Sequence, residues 1–202
     1  NLAGEVSHTL INRGDCLVDK DAGPATDRID VEISLLPDMP FTLKHLCPVK
    51  VYLGARRIAA RLAILDKAAS GNRLQPGANS LAQLVLESPV ATYHGERFVI
   101  RDHAEDSLLG GGRVLNPYGS RSRARRAQRL DYLRALQCSA FEQTLTELTR
   151  TQDIVNIDQL EHACNLPLGQ LREQIGSPCT TFSAHDKNWL TGEARYLMLA
   201  PS

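Results

Sequence analysis

Up to about Leu115, apolar and polar positions alternate with a period of two. Val31, Ile33 and Leu35 alternate with Glu32 and Ser34, and Val49, Val51 and Leu53 with Lys50 and Tyr52. Ile58, Leu62 and Ile64 share one side of the run from Ile58 to Leu65. Ala82, Leu84 and Leu86 lie opposite Gln83, and Phe98 and Ile100 lie opposite Arg97, Val99 and Arg101. Such alternation marks strands with one buried face. Pro37, Pro40, Pro48, Pro76-Gly77, Pro89 and Gly95 punctuate the runs. Short strands with little helix between them predict a small barrel or sandwich of about six strands.

After Pro117-Tyr118-Gly119 the period changes. Leu130, Leu133 and Leu136 recur at helical spacing, as do Phe141, Leu145 and Leu148. Ile157, Leu160 and Ala163 follow, then a break at Asn165-Leu166-Pro167, then Leu168, Leu171 and Ile175. Two short helices joined by a tight turn describe a helix-turn-helix. Asn156 or Asp158 can cap the first, Pro167 suits the first turn of the second, and Gly176 can stop it. Cys179 to Phe182 is β-prone and Asp186-Lys187-Asn188 is turn-like, so a strand, turn and strand complete a wing. The predicted fold class is α+β: a small antiparallel β-barrel followed by a winged-helix domain. The segment after Trp189 is expected to run into the first helix of a following module.

Composition narrows the reading. Lysine plus arginine and aspartate plus glutamate both number 23, so the overall field is neutral and only the distribution of charge is informative. Between Ser120 and Arg134 stand six arginines, Arg121, Arg123, Arg125, Arg126, Arg129 and Arg134, against the single acid Asp131. The five cysteines are dispersed, with no Cys-x-x-Cys, so they read as free thiols of a reducing cytoplasm. No apolar run reaches the length of a membrane span.

No catalytic constellation stands out, and no metal site is indicated. No Gly-x-x-x-x-Gly-Lys-Ser/Thr loop occurs, so a P-loop nucleotide site is excluded from this chain. Gly110-Gly111-Gly112 is either a turn or bulge needing positive φ, or a place where a ligand backbone approaches closely. His103 sits beside Asp102, Glu105 and Asp106 in a stretch that reads as a solvated acidic turn. The arginine run is either a solvated basic face or a phosphate-contacting one, with Arg121, Arg123, Arg125 and Arg126 as the candidates. Arginine's planar fork matches phosphate oxygens, and clustered cations gain affinity by releasing counterions from nucleic acid. Arg56-Arg57 with Arg61 forms a second cluster, ordinary barrel surface or binding site. The expected second helix, Leu168 to Ile175, is poor in cations for a DNA reader.

An ordered set of fragments carries a resemblance. Asn1-Leu2-Ala3-Gly4 with Ile11-Asn12-Arg13-Gly14-Asp15-Cys16-Leu17 is similar to the end of the second domain of a translational GTPase. Leu74-Gln75-Pro76-Gly77, Gln83 to Glu87, Pro89, Gly95 to Asp102 and finally Leu108 to Pro117, LLGGGRVLNP, follow in order. Together they resemble the third domain of the bacterial selenocysteine-specific translation elongation factor family, relatives of elongation factor Tu. The likeness covers roughly residues 1–117, and a basic helical segment after Pro117 fits the winged-helix modules of the bacterial family.

The resemblance implies residues 1–18 as the end of a preceding barrel, 19–117 as the third-domain barrel and 118–202 as a winged helix. It implies a cytoplasmic, monomeric factor that delivers selenocysteyl-tRNA to the ribosome at recoded UGA codons. GTP and magnesium would belong to a GTPase domain outside this sequence, leaving this chain without cofactor or enzymatic activity of its own. That GTPase domain would pack on the barrel, and an mRNA hairpin would be bound by further modules. By likeness to elongation factor Tu, a glycine loop from Gly110 through Gly111 and Gly112 to Arg113, and the turn carrying Arg56 and Arg57, are the implied tRNA T-stem surfaces. The acidic stretch from His103 to Asp106 departs from what a surface beside RNA leads one to expect. Rival readings are a general tRNA carrier, an enzyme with an unrecognised site, and a winged-helix regulator with a β-rich sensor domain.

Overall fold

The computed structural model describes residues 14–16, 18, 24–66, 71–121, 126–138, 140–151, 154–166, 180–183 and 195–198. Eight strands precede the first helix: β1 (Thr26–Leu35), β2 (Leu43–Lys44), β3 (Cys47–Leu53), β4 (Arg56–Ile64), β5 (Arg73–Leu74), β6 (Asn79–Val90), β7 (Arg97–Asp102) and β8 (Leu108–Asn116). Six of them close an antiparallel barrel in the order β1-β6-β4-β3-β7-β8, with β8 returning to β1. β2 and β5 form a separate two-stranded ribbon. Closure removes the unpaired edges that an open sheet of this size would expose.

The inward side of each strand is the apolar set that the alternation predicts. Ile29, Val31, Ile33, Val49, Val51, Leu62, Leu84 and Ile100 are fully or almost fully buried in one core. Gly54 and Gly95 turn the β3–β4 and β6–β7 connections with positive φ, where a side chain is disfavoured.

The three glycines of β8 are not a loop, which corrects the expectation drawn from the resemblance. They lie inside the strand, Gly110, Gly111 and Gly112 facing Leu35, Ser34 and Ile33 of β1 across the ladder. A bulge beside Ile100 and Arg101 of β7 marks where the triplet begins. A Cβ on Gly112 would stand 1.9 Å from the Glu32 carbonyl oxygen, and one on Gly110 would stand 2.2 Å from that of Ser34. The closely approaching backbone is therefore the chain's own strand β1, and glycine is required because the barrel closes tightly at this seam.

Beyond the barrel come α1 (Arg126–Ala135), α2 (Phe141–Thr151), β9 (Ile154–Asn156), α3 (Ile157–Cys164), β10 (Thr180–Ser183) and β11 (Arg195–Met198). β9, β10 and β11 form a three-stranded sheet with β11 in the middle. The stretch after Trp189, expected to enter a helix, contains a strand instead; Leu197 pairs with both Thr181 and Val155, and this pairing consumes the segment's backbone groups. The expected helix from Leu168 to Ile175 and the turn at Asp186 to Asn188 lie outside the described residues.

Helix α1 joins the two parts. Leu133 and Leu136 are buried against Leu81 and Leu115 on the outer surface of the barrel, together with Ala163 of α3. On its other side Ala135 packs with Leu148 and Leu160 in a helical core that also takes in Tyr132 and Phe141. The outer surface of the barrel is thus covered by helix around Leu81 of β6 and Leu115 of β8.

Candidate nucleic-acid interface

A barrel strand that buries one side must present the other. The outward positions of β3, β4 and β7 are Pro48, Lys50 and Tyr52; Arg57, Ala59 and Arg61; Arg97, Val99 and Arg101. None is acidic, and five are cationic. The register sets them in rows: Lys50 stands between Ala59 and Arg101, and Tyr52 between Arg57 and Val99. Helix α1 docks elsewhere on the barrel, on Leu81, Leu115 and Asp30, and leaves this basic sheet facing outward. Among the described residues no carboxylate pairs with Lys50, Arg61, Arg97 or Arg101, and Arg101 Nε has no acceptor.

Among the described residues, Glu105 of the β7–β8 turn is the carboxylate that pairs with a cation of this face. Its carboxylate accepts a short hydrogen bond from the Tyr52 hydroxyl and another from Arg57 Nη1 at 3.2 Å. The Tyr52 hydroxyl, helped by the charges of Arg57 and Lys50, holds the Glu105 carboxyl below its usual range. The same contact pushes the Tyr52 phenol up, with Arg101 and Arg57 opposing. Glu105 adopts φ 66°, a conformation that costs a non-glycine residue roughly 1 kcal/mol. The turn beneath it is pinned by Asp102, whose carboxylate accepts from the Ser107 amide at 2.7 Å and whose carbonyl accepts from the Glu105 amide at 3.0 Å.

The residues singled out from sequence separate in the structure. Arg57 projects from the basic face with its side chain 62% exposed. Its neighbour Arg56 points the other way, donating to the Gly14 carbonyl at 2.8 Å, the Pro89 carbonyl at 3.0 Å and Asp15 at 3.2 Å. Arg113 is engaged by Glu32 at 2.8 Å and by the Gln137 carbonyl at 2.7 Å. Of the triplet, Gly111 lies on the outward side, next to Val99. Arg121 pairs with Asp27 at 2.6 Å. Arg123 and Arg125 fall outside the described residues, and Arg126 opens α1.

The rest of the arginine run serves the joint between helix and barrel. Arg134 reaches Asp66 at 3.0 Å. Arg129 forks onto the buried carboxylate of Asp30, which also accepts from Gln83 Nε2 at 3.0 Å. Burial pushes the Asp30 carboxyl up, while Arg129 and Gln83 pull it back. A Cβ on Gly119 would stand 2.5 Å from Gln83 Nε2 and 2.7 Å from Asp30 Oδ1, so the linker is glycine where it crosses this cluster. Asn165, past the end of α3, exchanges two hydrogen bonds with the His94 backbone of the β6–β7 turn.

Sequence reasoning missed Lys50, Tyr52, Arg101 and Glu105 as a group. The signal was present in the polar side of each strand, read only as a marker of alternation. Among the described residues no three His, Cys, Asp or Glu side chains converge as metal ligands would. No helix among those residues is long and apolar enough to cross a membrane.

Comparison with known proteins places this geometry. Residues 26–121 match the family described as the selenocysteine-specific elongation factor, β-barrel domain. The chain is 29% identical over 160 residues to the selenocysteine-specific elongation factor of Haemophilus influenzae, covering 79% of this chain and 25% of that protein. It is 31% identical over 116 residues to the one from Desulfomicrobium baculatum, covering 57% and 18%. Against the one from Escherichia coli strain K12 it is 26% identical over 179 residues, covering 88% and 26%. The chain thus spans about a quarter or less of the length of these relatives, and what matches is a barrel that is not itself a catalytic domain. Residues 26–121 thus form the β-barrel domain of the selenocysteine-specific elongation factor family, and the relatives extend the likeness over most of the chain.

Proposed function

We propose that this chain is the RNA-facing barrel and connecting helical module of a factor that delivers selenocysteyl-tRNA to the ribosome at recoded UGA codons. Residues 19–117 form the barrel, residues 1–18 the end of a preceding one, and residues 118–202 a winged helix leading toward the modules that bind the mRNA hairpin. GTP hydrolysis belongs to another domain of the same factor, which packs on this barrel. The order helix, strand, helix, then two paired strands supports the winged-helix assignment.

The observation that carries the reading is the outward face of β3, β4 and β7, five cations of which, among the described residues, Arg57 alone pairs with a carboxylate, that of Glu105. Such a face neutralises a phosphate backbone, and a tRNA stem is recognised through backbone and shape more than through base edges. Arg57 is its leading contact. Arg113 stands beside Arg97 but is tied to Glu32, Arg56 points away from the face, and Gly111 leaves bare backbone beside Val99. Arg121, Arg123, Arg125 and Arg126 are the secondary phosphate contacts.

The test is binding of a T-stem RNA helix to this chain across a potassium chloride series. Replacing Lys50, Arg57 and Arg101 together by alanine is expected to weaken binding and lower the salt slope by roughly two to three, about one unit per lost phosphate contact. Arg73→Ala, on the β2–β5 ribbon, should change neither. An unchanged slope in the triple variant would remove the basic face from the reading. Tighter binding to duplex DNA than to RNA would favour the winged-helix regulator instead.

A further inference from the structure

The centre of the basic face is already filled by an anion from the chain itself. Glu105 Oε2 receives the Tyr52 hydroxyl and the Arg57 guanidinium, with Lys50 close enough to bias its charge and Arg101 close enough to act on Tyr52. A hydroxyl, a guanidinium fork and an ammonium are the donor set that binds a phosphate oxygen. Two features set this carboxylate apart from an ordinary surface ion pair. It is presented from a left-handed backbone conformation that a non-glycine residue adopts at a cost, so the turn holds strain that its contacts offset. It is also, among the described residues, the one carboxylate paired with a cation of this face, the others, Lys50, Arg61, Arg97 and Arg101, having no carboxylate partner there.

We infer that Glu105 is a built-in stand-in for an RNA backbone phosphate, seated between Tyr52 and Arg57 until a bound RNA displaces it. This rests on the reading of the face as RNA-facing and adds its regulation. With Glu105 in place, Arg57 is unavailable to passing polyanions. A correctly docked helix, held first by Lys50, Arg101 and Arg61, brings a phosphate that takes over both donors while the turn swings away. The device lowers affinity for arbitrary RNA more than for one whose phosphates match the rows of the sheet. It also accounts for an acidic turn beside a basic surface. RNA backbone is favoured over an acidic peptide because the cations are fixed on strands in two adjacent rows, beside bare backbone at Gly111, which suits a regular rigid polyanion.

The experiment compares parent, Glu105→Gln, Glu105→Gly and the double variant Glu105→Gln/Arg57→Ala for binding a T-stem RNA helix and a polyglutamate peptide across a salt series. Glutamine keeps an acceptor and removes the charge, while glycine suits the positive φ and guards against misfolding. Both single variants are expected to bind RNA about two- to fivefold more tightly at low salt, the usual worth of one exposed charge contact. The salt slope should steepen by about one as Arg57 becomes free to neutralise a phosphate. The gain should vanish in the double variant. If neither single variant tightens binding while Lys50→Ala and Arg57→Ala still weaken it, Glu105 is no competitor and the inference fails, with the RNA-facing reading intact. If none of these cation changes alters RNA binding, the reading of the face itself fails. An equal gain for polyglutamate would overturn RNA as the ligand in favour of an acidic partner.

Discussion

Arg129 of α1 lays its guanidinium across the carboxylate of Asp30 in β1, with Nε donating to Oδ2 at 3.1 Å and Nη2 to Oδ1. Asp30 is fully buried and Arg129 nearly so, at 0% and 16% exposure. A charge pair so far from solvent adds little net stability over an apolar pair, yet breaking it is costly. Its role is to specify one seating of helix on barrel. Gln83 holds Asp30 from the side, and only a glycine at 119 fits over the cluster.

Removing one partner therefore costs far more than the pair itself contributes. Arg129→Met should destabilise the protein by about 3–5 kcal/mol at pH 7 in urea unfolding, since Asp30 is left buried and uncompensated. The loss should shrink in acid. Burial already places the Asp30 carboxyl above its unfolded range, and loss of Arg129 moves it further up. A carboxyl raised in the fold favours its protonated form. Its stabilising share is whole below the unfolded pKa of about 4 and is lost as pH rises through the folded value. A variant equally destabilised at pH 4.5 and pH 7 would contradict this.

The glycine seam gives a prediction of a different kind. Gly112→Ala places a methyl group 1.9 Å from the Glu32 carbonyl oxygen, and backbone cannot move aside without opening the β1–β8 ladder. The expected loss is about 3 kcal/mol or more, at the upper end for overpacking. Gly71→Ala meets nothing within 4 Å and carries only the penalty of positive φ, about 1–2 kcal/mol. Thermal unfolding of the two variants side by side reads the difference, and equal losses would mean the barrel is looser than its register.

Tyr132 inverts the usual expectation for a polar group. Its hydroxyl is buried between the two cores without a hydrogen-bond partner among the described residues, and burial drives its pKa strongly up. Tyr132→Phe removes an unsatisfied group while keeping the ring that packs on Leu148 and Leu160. Stability should be unchanged or higher by about 1 kcal/mol. A clear loss in chemical denaturation would show that the hydroxyl has a partner.

The Tyr52–Glu105 contact is visible in titration. Glu105 is held below its usual range, so its stabilising share is present above the unfolded carboxyl pKa of about 4.3 and is lost as pH falls through the folded value. Tyr52 is shifted up, so its share is present below the unfolded phenol pKa near 10 and is lost as pH rises through the folded one. Ultraviolet titration should show one phenol ionising earlier in Glu105→Gln than in the parent. Identical curves would argue that the contact does not persist in solution.

The alternation of Val49, Val51 and Leu53 or of Ala82, Leu84 and Leu86 was sufficient to predict strands and their buried sides. Each side chain's face follows from its place in an extended chain, a local property. The helical spacing of Leu130, Leu133 and Leu136 was legible on the same ground, and the order of short fragments carried the family. The second helix of the expected helix-turn-helix lies outside the described residues, so its prediction stands as sequence reading alone.

What only the tertiary structure decided is how the charges are spent. In sequence, Arg56 and Arg57 are neighbours, and the arginines from Arg121 to Arg134 form one run. Pleating sends Arg56 and Arg57 to opposite sides of β4, and the docking of α1 sets Arg129 and Arg134 against acids 99 and 68 positions away. Glycines 110 to 112 look like a loop until β1 is laid against them. Lys50, Tyr52, Arg57, Arg101 and Glu105 become one site only when β3, β4 and β7 pair. Partners brought together by barrel closure and helix docking depend on register and on closing long stretches of chain. Local periodicity encodes which side a residue faces, but not which residue it will meet.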